Sequence, residues 1–91
     1  MTPAELSAAL AGLPGWEPRD EGRAIGRRFR FTDFSEAWGF MTRVALVAEA
    51  MDHHPDWSNS YRTVDVALTT HTAGGVTKLD LDLAARIDAL L

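Results

Sequence analysis

The sequence predicts an α+β domain, ordered α-β-β-α-β-β-α, in which a four-stranded antiparallel sheet carries three helices packed on one face. Between Phe34 and Met51, apolar residues recur at spacings of three and four, the period of a long amphipathic helix. On each side of that stretch lies a pair of short segments with β-forming patterns, separated by Glu21-Gly22 and by Tyr61-Arg62, as two hairpins require. A capped apolar stripe near each end of the chain supplies a shorter helix. Residues 1–91 have the length of one domain, and a domain this small has a modest stability margin.

Thr2-Pro3-Ala4-Glu5 reads as a helix start: threonine caps free amides, proline suits the first turn, and Glu5 completes a capping box. Leu6, Ala9, Leu10 and Leu13 form its apolar stripe, Gly12 is the expected stop, and Pro14-Gly15 turns the chain. Trp16 to Asp20 is the first expected strand and Ala24 to Phe31 the second, with Ile25, Phe29 and Phe31 sharing one face. Arg27 has the parity of that apolar set, which places it at an edge or an interface rather than in the core. Asp33 or Ser35 caps the central helix, whose stripe is Phe34, Ala37, Trp38, Met41, Val44, Ala45, Ala48 and Met51. Phe40, Leu46 and Val47 widen it, so either the flanking elements cover them or a second subunit does. Asp56 to Ser60 and Thr63 to Thr70 form the second hairpin, with Val64, Val66 and Leu68 inward. After Ala73-Gly74-Gly75, Thr77 caps a last helix built on Leu79, Leu83, Ala84, Ile87, Leu90 and Leu91.

A formal net charge of -4 argues against a general affinity for nucleic-acid phosphates or anionic membranes. The absence of cysteine removes a disulfide framework, a thiolate nucleophile and cysteine-based metal sites. The N-terminus has no basic segment followed by an apolar run, and no apolar stretch reaches the ~20 residues of a membrane span. A cytoplasmic protein is the resulting expectation.

Chemistry concentrates where the central helix runs out, at Glu49-Ala50-Met51-Asp52-His53-His54-Pro55-Asp56-Trp57. Two of the three histidines sit there, and His71, at the end of the alternating segment, can return to them through the hairpin. An isolated surface histidine needs no function. All three, however, occupy element ends, where sites are built, and Asp80 follows in the first turn of the last helix. Glu49 lies four residues before His53, a spacing at which a helix would let the carboxylate orient that imidazole. Asp80 can hold a histidine while also completing the Thr77 cap. The His-Glu-x-x-His spacing of zinc helices is absent, so no metal is expected.

Glu49-x-x-x-His53-His54-Pro55, followed by Tyr61, His71 and Asp80 at their spacings, resembles the signature of pterin-4a-carbinolamine dehydratases. The resemblance continues through Phe31-x-Asp33-Phe34-x-x-Ala37, Phe40-Met41-x-x-Val44-Ala45, Trp57-x-Asn59, Thr70-His71 and Gly75-x-Thr77, and so covers most of the chain. It implies the same antiparallel four-stranded sheet with three helices. It also implies a homodimer or homotetramer, joined through edge strands or the central helix. The implied activity is dehydration of 4a-hydroxytetrahydrobiopterin, the spent cofactor of aromatic amino acid hydroxylases, to quinonoid dihydrobiopterin without a metal or redox cofactor.

Carried over by position, His53 and His71 become general acids for the two faces of the ring, and His54 binds and polarises the pterin. Glu49 and Asp80 would orient the histidines. Asp52, Pro55, Trp57, Thr69, Thr70 and Thr72 would line the pocket, although Trp57 fits a core position at least as well. Some members of this family act as transcriptional coactivators, so the alternative implied is a pterin-binding or dimerisation module.

Overall fold

The first helix starts at a reciprocal cap. In the computed structural model, which describes residues 1–91, the Glu5 N–H donates to Thr2 Oγ1 at 3.1 Å and the Thr2 N–H donates to the Glu5 carboxylate at 2.8 Å. This fixes α1 at Pro3–Leu10. The first hairpin pairs β1, Glu17–Arg19, with β2, Ala24–Arg30. Its turn differs from the expected two-residue reversal at Glu21-Gly22. Arg19 pairs with Ala24, so the connection is four residues long, still centred on Glu21-Gly22, and Asp20, Glu21 and Gly22 all have positive φ, at 51°, 56° and 83°. An ion pair from Arg23 to Asp20 at 2.9 Å closes it.

Asp33 caps α2, Phe34–Met51, by accepting from the Glu36 N–H at 2.9 Å. The second hairpin joins β3, Asp56–Ser60, to β4, Thr63–Leu68. Asn59 Nδ2 donates to the carbonyls of Tyr61 and Thr63, each at 3.0 Å, which holds Tyr61 in its left-handed conformation. The last helix, α3, spans Lys78–Asp88. The strands form one antiparallel sheet in the order β1-β2-β4-β3, so the two hairpins meet along β2 and β4. No helix is long and apolar enough to cross a membrane.

Residues Ile25 and Phe29 of β2 and Val64, Val66 and Leu68 of β4 project into the core beneath the helices. Phe40 packs between Phe29 and Phe31, with ring centroids 4.8 and 4.9 Å away. The buried line of α2 is therefore Ala37, Phe40, Val44 and Ala48, rotated from the expected stripe. Phe34 and Trp38 lie off that line, exposed and stacked on each other at 6.1 Å. Leu46 is also exposed, whereas the sheet covers Phe40 and partly covers Val47.

Arg27 does face the helices. It lies one position past the β1 pairing and reaches Asp88 of α3 at 3.0 Å, an oxygen that the Trp16 indole N–H also engages at 2.9 Å. On the opposite face Arg19 crosses over Gly26, where no Cβ would fit, to make two bonds to Asp65 at 2.7 and 3.0 Å.

Truncating Phe40 to alanine should cost about 3–5 kcal/mol out of a total of roughly 5–14 kcal/mol for a chain this size. Leu46→Ala should change stability by less than about 0.5 kcal/mol, and urea unfolding of both variants checks the contrast. The Arg19 hydrogen bond, with added attraction from Arg19 and Arg28, holds the Asp65 carboxyl below its ordinary value of 3.8. In that interval the unfolded chain binds more protons, so the contribution is complete above the ordinary value and is lost as pH falls through the lowered one. Asp65→Asn should accordingly flatten the acid limb of stability against pH, measured as urea midpoints.

Candidate active site

The helix exit decides where the first two histidines go. Asp52 takes the left-handed conformation, φ 50° and ψ 42°, and the His53 N–H then bonds back to the Ala48 carbonyl at 3.1 Å. This closure ends the helical succession before His53 can stand one turn above Glu49. The expected Glu49–His53 pair therefore does not form. Glu49 Oε1 instead meets His54 Nε2 at 2.8 Å, and His53 Nε2 meets Asp80 Oδ1 at 2.6 Å.

Asp80 is fully buried, with 0% of its side chain exposed. It belongs to the inward face of α3 because Leu83, Ala84 and Ile87 stand three, four and seven positions on. Its Oδ2 accepts from the Thr77 N–H and from the Thr70 hydroxyl, both at 2.8 Å. The first of these bonds is the reciprocal half of a capping box with Thr77.

His71 arrives by a different route. It opens a 3₁₀ turn after β4, and Thr70 and Gly75 close the segment by pairing their backbones. Gly74, at φ 71°, supplies the left-handed residue that this return needs. His71 Nε2 lies 3.5 Å from Asp56 Oδ2. Asp56 was not foreseen; its one signal is the β3–β4 register, which pairs it with Ala67, close in sequence to His71.

All three histidines line one cavity of about 330 Å³, together with Asp52, Thr69, Thr70, Thr72 and Leu79. Leu79, expected in the stripe of the last helix, is exposed and walls the cavity. Pro55 and Trp57 do not line it. Trp57 is half-buried and packs against the core.

Exposure separates the three pairs. The His53 side chain is 11% exposed, whereas those of His54 and His71 are 57% and 80% exposed. Exposed pairs are weakly held because water competes for both partners, while a buried pair keeps its geometry. Each carboxylate can orient its ring and select the tautomer. No three of these groups converge as a metal ligand set. A larger groove of about 880 Å³ lies between α1, the first hairpin and residues 73–77, with Leu6, Trp16 and Val76 among its walls. It has no histidine.

Fold and cavity together define an α+β domain in which three histidines, each beside a carboxylate, line one cavity. The chain belongs to the pterin 4 alpha carbinolamine dehydratase family, whose family model matches residues 1–90. A Rhodopseudomonas palustris (strain HaA2) protein named, provisionally, pterin-4-alpha-carbinolamine dehydratase is 58% identical over 99% of this chain and 89% of its own length. A Bradyrhizobium (strain BTAi1) protein with the same provisional name is 63% identical over 90% of this chain and 83% of its own. The crystal structure of a transcriptional coactivator/pterin dehydratase from Brucella melitensis superposes with a TM-score of 0.95 at 49% identity, covering 99% of this chain and 96% of that one. A pterin dehydratase-like protein identified as a RuBisCO assembly factor in the alpha-carboxysome shares the fold at 23% identity, with a TM-score of 0.72 over 84% of this chain and 88% of its own.

Removing the buried Asp80 carboxylate leaves the Thr77 N–H, the Thr70 hydroxyl and the His53 ring without their acceptor. Asp80→Ala should therefore destabilise the protein by about 3 kcal/mol or more, read as a lower urea midpoint. Glu49→Ala should leave that midpoint unchanged.

Proposed function

We propose that this chain dehydrates 4a-hydroxytetrahydrobiopterin to quinonoid dihydrobiopterin, as a step in tetrahydrobiopterin recycling. What carries the reading is that three histidines, each beside its own carboxylate, line one cavity in a chain of this family. In the substrate a hydroxyl sits on a carbon bonded to a ring nitrogen. That nitrogen's lone pair forms the C=N bond as the C–O bond breaks. Hydroxide leaves poorly, so one proton must reach the departing oxygen while another is lost from the ring.

An imidazolium supplies the first proton, and a neutral imidazole or a water takes the second; each well-placed group contributes roughly 10²- to 10⁴-fold. His53 and His71, entering from α2 and from the segment after β4, are the general acids for opposite faces of the ring. His54, held by Glu49, binds and polarises the pterin. Asp80 orients His53, and Asp52, Thr69 and Thr72 complete the wall. The reaction calls for neither metal nor redox cofactor, and its substrate would come from aromatic amino acid hydroxylation in the cytoplasm.

A second reading has its own support. Phe34 and Trp38 stack on the outer side of α2, and Leu46 is exposed on the same helix. Together with the coactivator named in the Brucella protein, these residues favour a homodimer or homotetramer that also serves as an interaction module.

Purified protein should accelerate loss of freshly generated 4a-hydroxytetrahydropterin above its unaided rate, and replacing His53, His54 and His71 together by alanine should abolish the acceleration. A folded chain with no acceleration would reject the dehydratase and leave the module.

A further inference from the structure

We propose that Thr70 is a positioning residue of this site: its hydroxyl fixes Asp80 so that His53 presents Nδ1, and not Nε2, to the substrate. The inference rests on the dehydratase reading for its catalytic consequence, but its geometry stands apart from that reading.

Thr70 is nearly buried, and its Oγ1 lies 2.8 Å from Asp80 Oδ2 and 2.8 Å from Thr77 Oγ1. One hydroxyl has one hydrogen, so only one of these contacts can be a donation by Thr70. Thr77 Oγ1 already accepts from the Leu79 N–H at 3.3 Å, which leaves its own hydrogen for Thr70. The hydrogen of Thr70 then goes to Asp80, whose oxygen can only accept when ionised. The bonds therefore run in one direction, from the start of α3 through Thr77 and Thr70 to the carboxylate.

Asp80 Oδ2 also takes the Thr77 N–H at 2.8 Å, which fills both of its lone pairs. Only Oδ1 remains to meet His53, at 2.6 Å. An ionised carboxylate oxygen needs a donor, so the hydrogen of this bond sits on His53 Nε2. The nitrogen left without a protein partner on this cavity-lining ring is Nδ1. Valine in place of Thr70 keeps the shape and removes the donor. Asp80 can then turn, and His53 loses its fixed tautomer.

Long-range ¹H–¹⁵N spectra of the unaltered chain, Thr70→Val and Thr70→Ser, recorded where the His53 ring is neutral, test this alongside the kinetics of 4a-hydroxytetrahydropterin dehydration. The unaltered chain should show His53 hydrogenated at Nε2. Thr70→Val should show mixed tautomers, with kcat lower by about tenfold, the effect of losing one hydrogen bond to a charged group, and KM within about twofold. Thr70→Ser, which keeps the hydroxyl, should match the unaltered chain in both readouts. His53 hydrogenated at Nδ1 in the unaltered chain would overturn the proposal even if the valine variant does not fold. So would a serine variant as impaired as the valine one, or a valine variant with native tautomer and kcat. If the unaltered chain gives no acceleration, the dehydratase reading fails instead, and the tautomers still decide the role of Thr70.

Discussion

A carboxylate with no exposed surface has to be surrounded by donors, because an unpaired buried charge costs several kcal/mol. Asp80 meets that demand by drawing on three parts of the chain. The Thr77 amide comes from the start of its own helix, the Thr70 hydroxyl from the segment after β4, and the His53 imidazole from the exit of α2. Each donor is at an element end, so satisfying one charge also fixes how α2, β4 and α3 meet. The cavity lined by the three histidines lies at that junction.

The same arrangement grades the site by rigidity. His53 is held between a buried acid and the folded core, while His54 and His71 pair with exposed acids at the rim. Rim pairs exchange readily with water, whereas the buried pair keeps its ring in place. Phe29, Phe31 and Phe40 support this rigid part from below, since they pack α2 onto the sheet and so set the position from which His53 leaves the helix. The larger groove beside α1 shares the His71–Thr77 segment with the cavity but carries none of its acid/base groups.

Much of the fold was legible because local chemistry and tertiary structure agree. The Thr2–Glu5 capping box, the bounds of β3 and the alternation in β4 follow from residue types at short range. The length of the first turn, centred on Glu21-Gly22 as expected, did not, because three successive positive φ values have no marker beyond Gly22. The apolar period of α2 established a helix, but choosing between its two adjacent apolar stripes depends on where the sheet lies. That is why Phe40 rather than Trp38 faces inward. The meeting of the histidines could be read from their places at element ends. Their acids could not: the left-handed Asp52 moved Glu49 from His53 to His54, and Asp56 meets His71 only through strand register. Asp80 carried a stronger signal, as a carboxylate in phase with Leu83, Ala84 and Ile87.

The most direct measurement is a crystal structure of this chain with an unreactive pterin bound. The ring should occupy the cavity between α2 and the His71–Thr77 segment, with the edge that carries the departing hydroxyl about 3 Å from a nitrogen of His53 and His71 close to its other face. A pterin seated in the groove beside α1, or in the cavity with His53 out of reach, would contradict the assignment of this junction as the site of the chemistry.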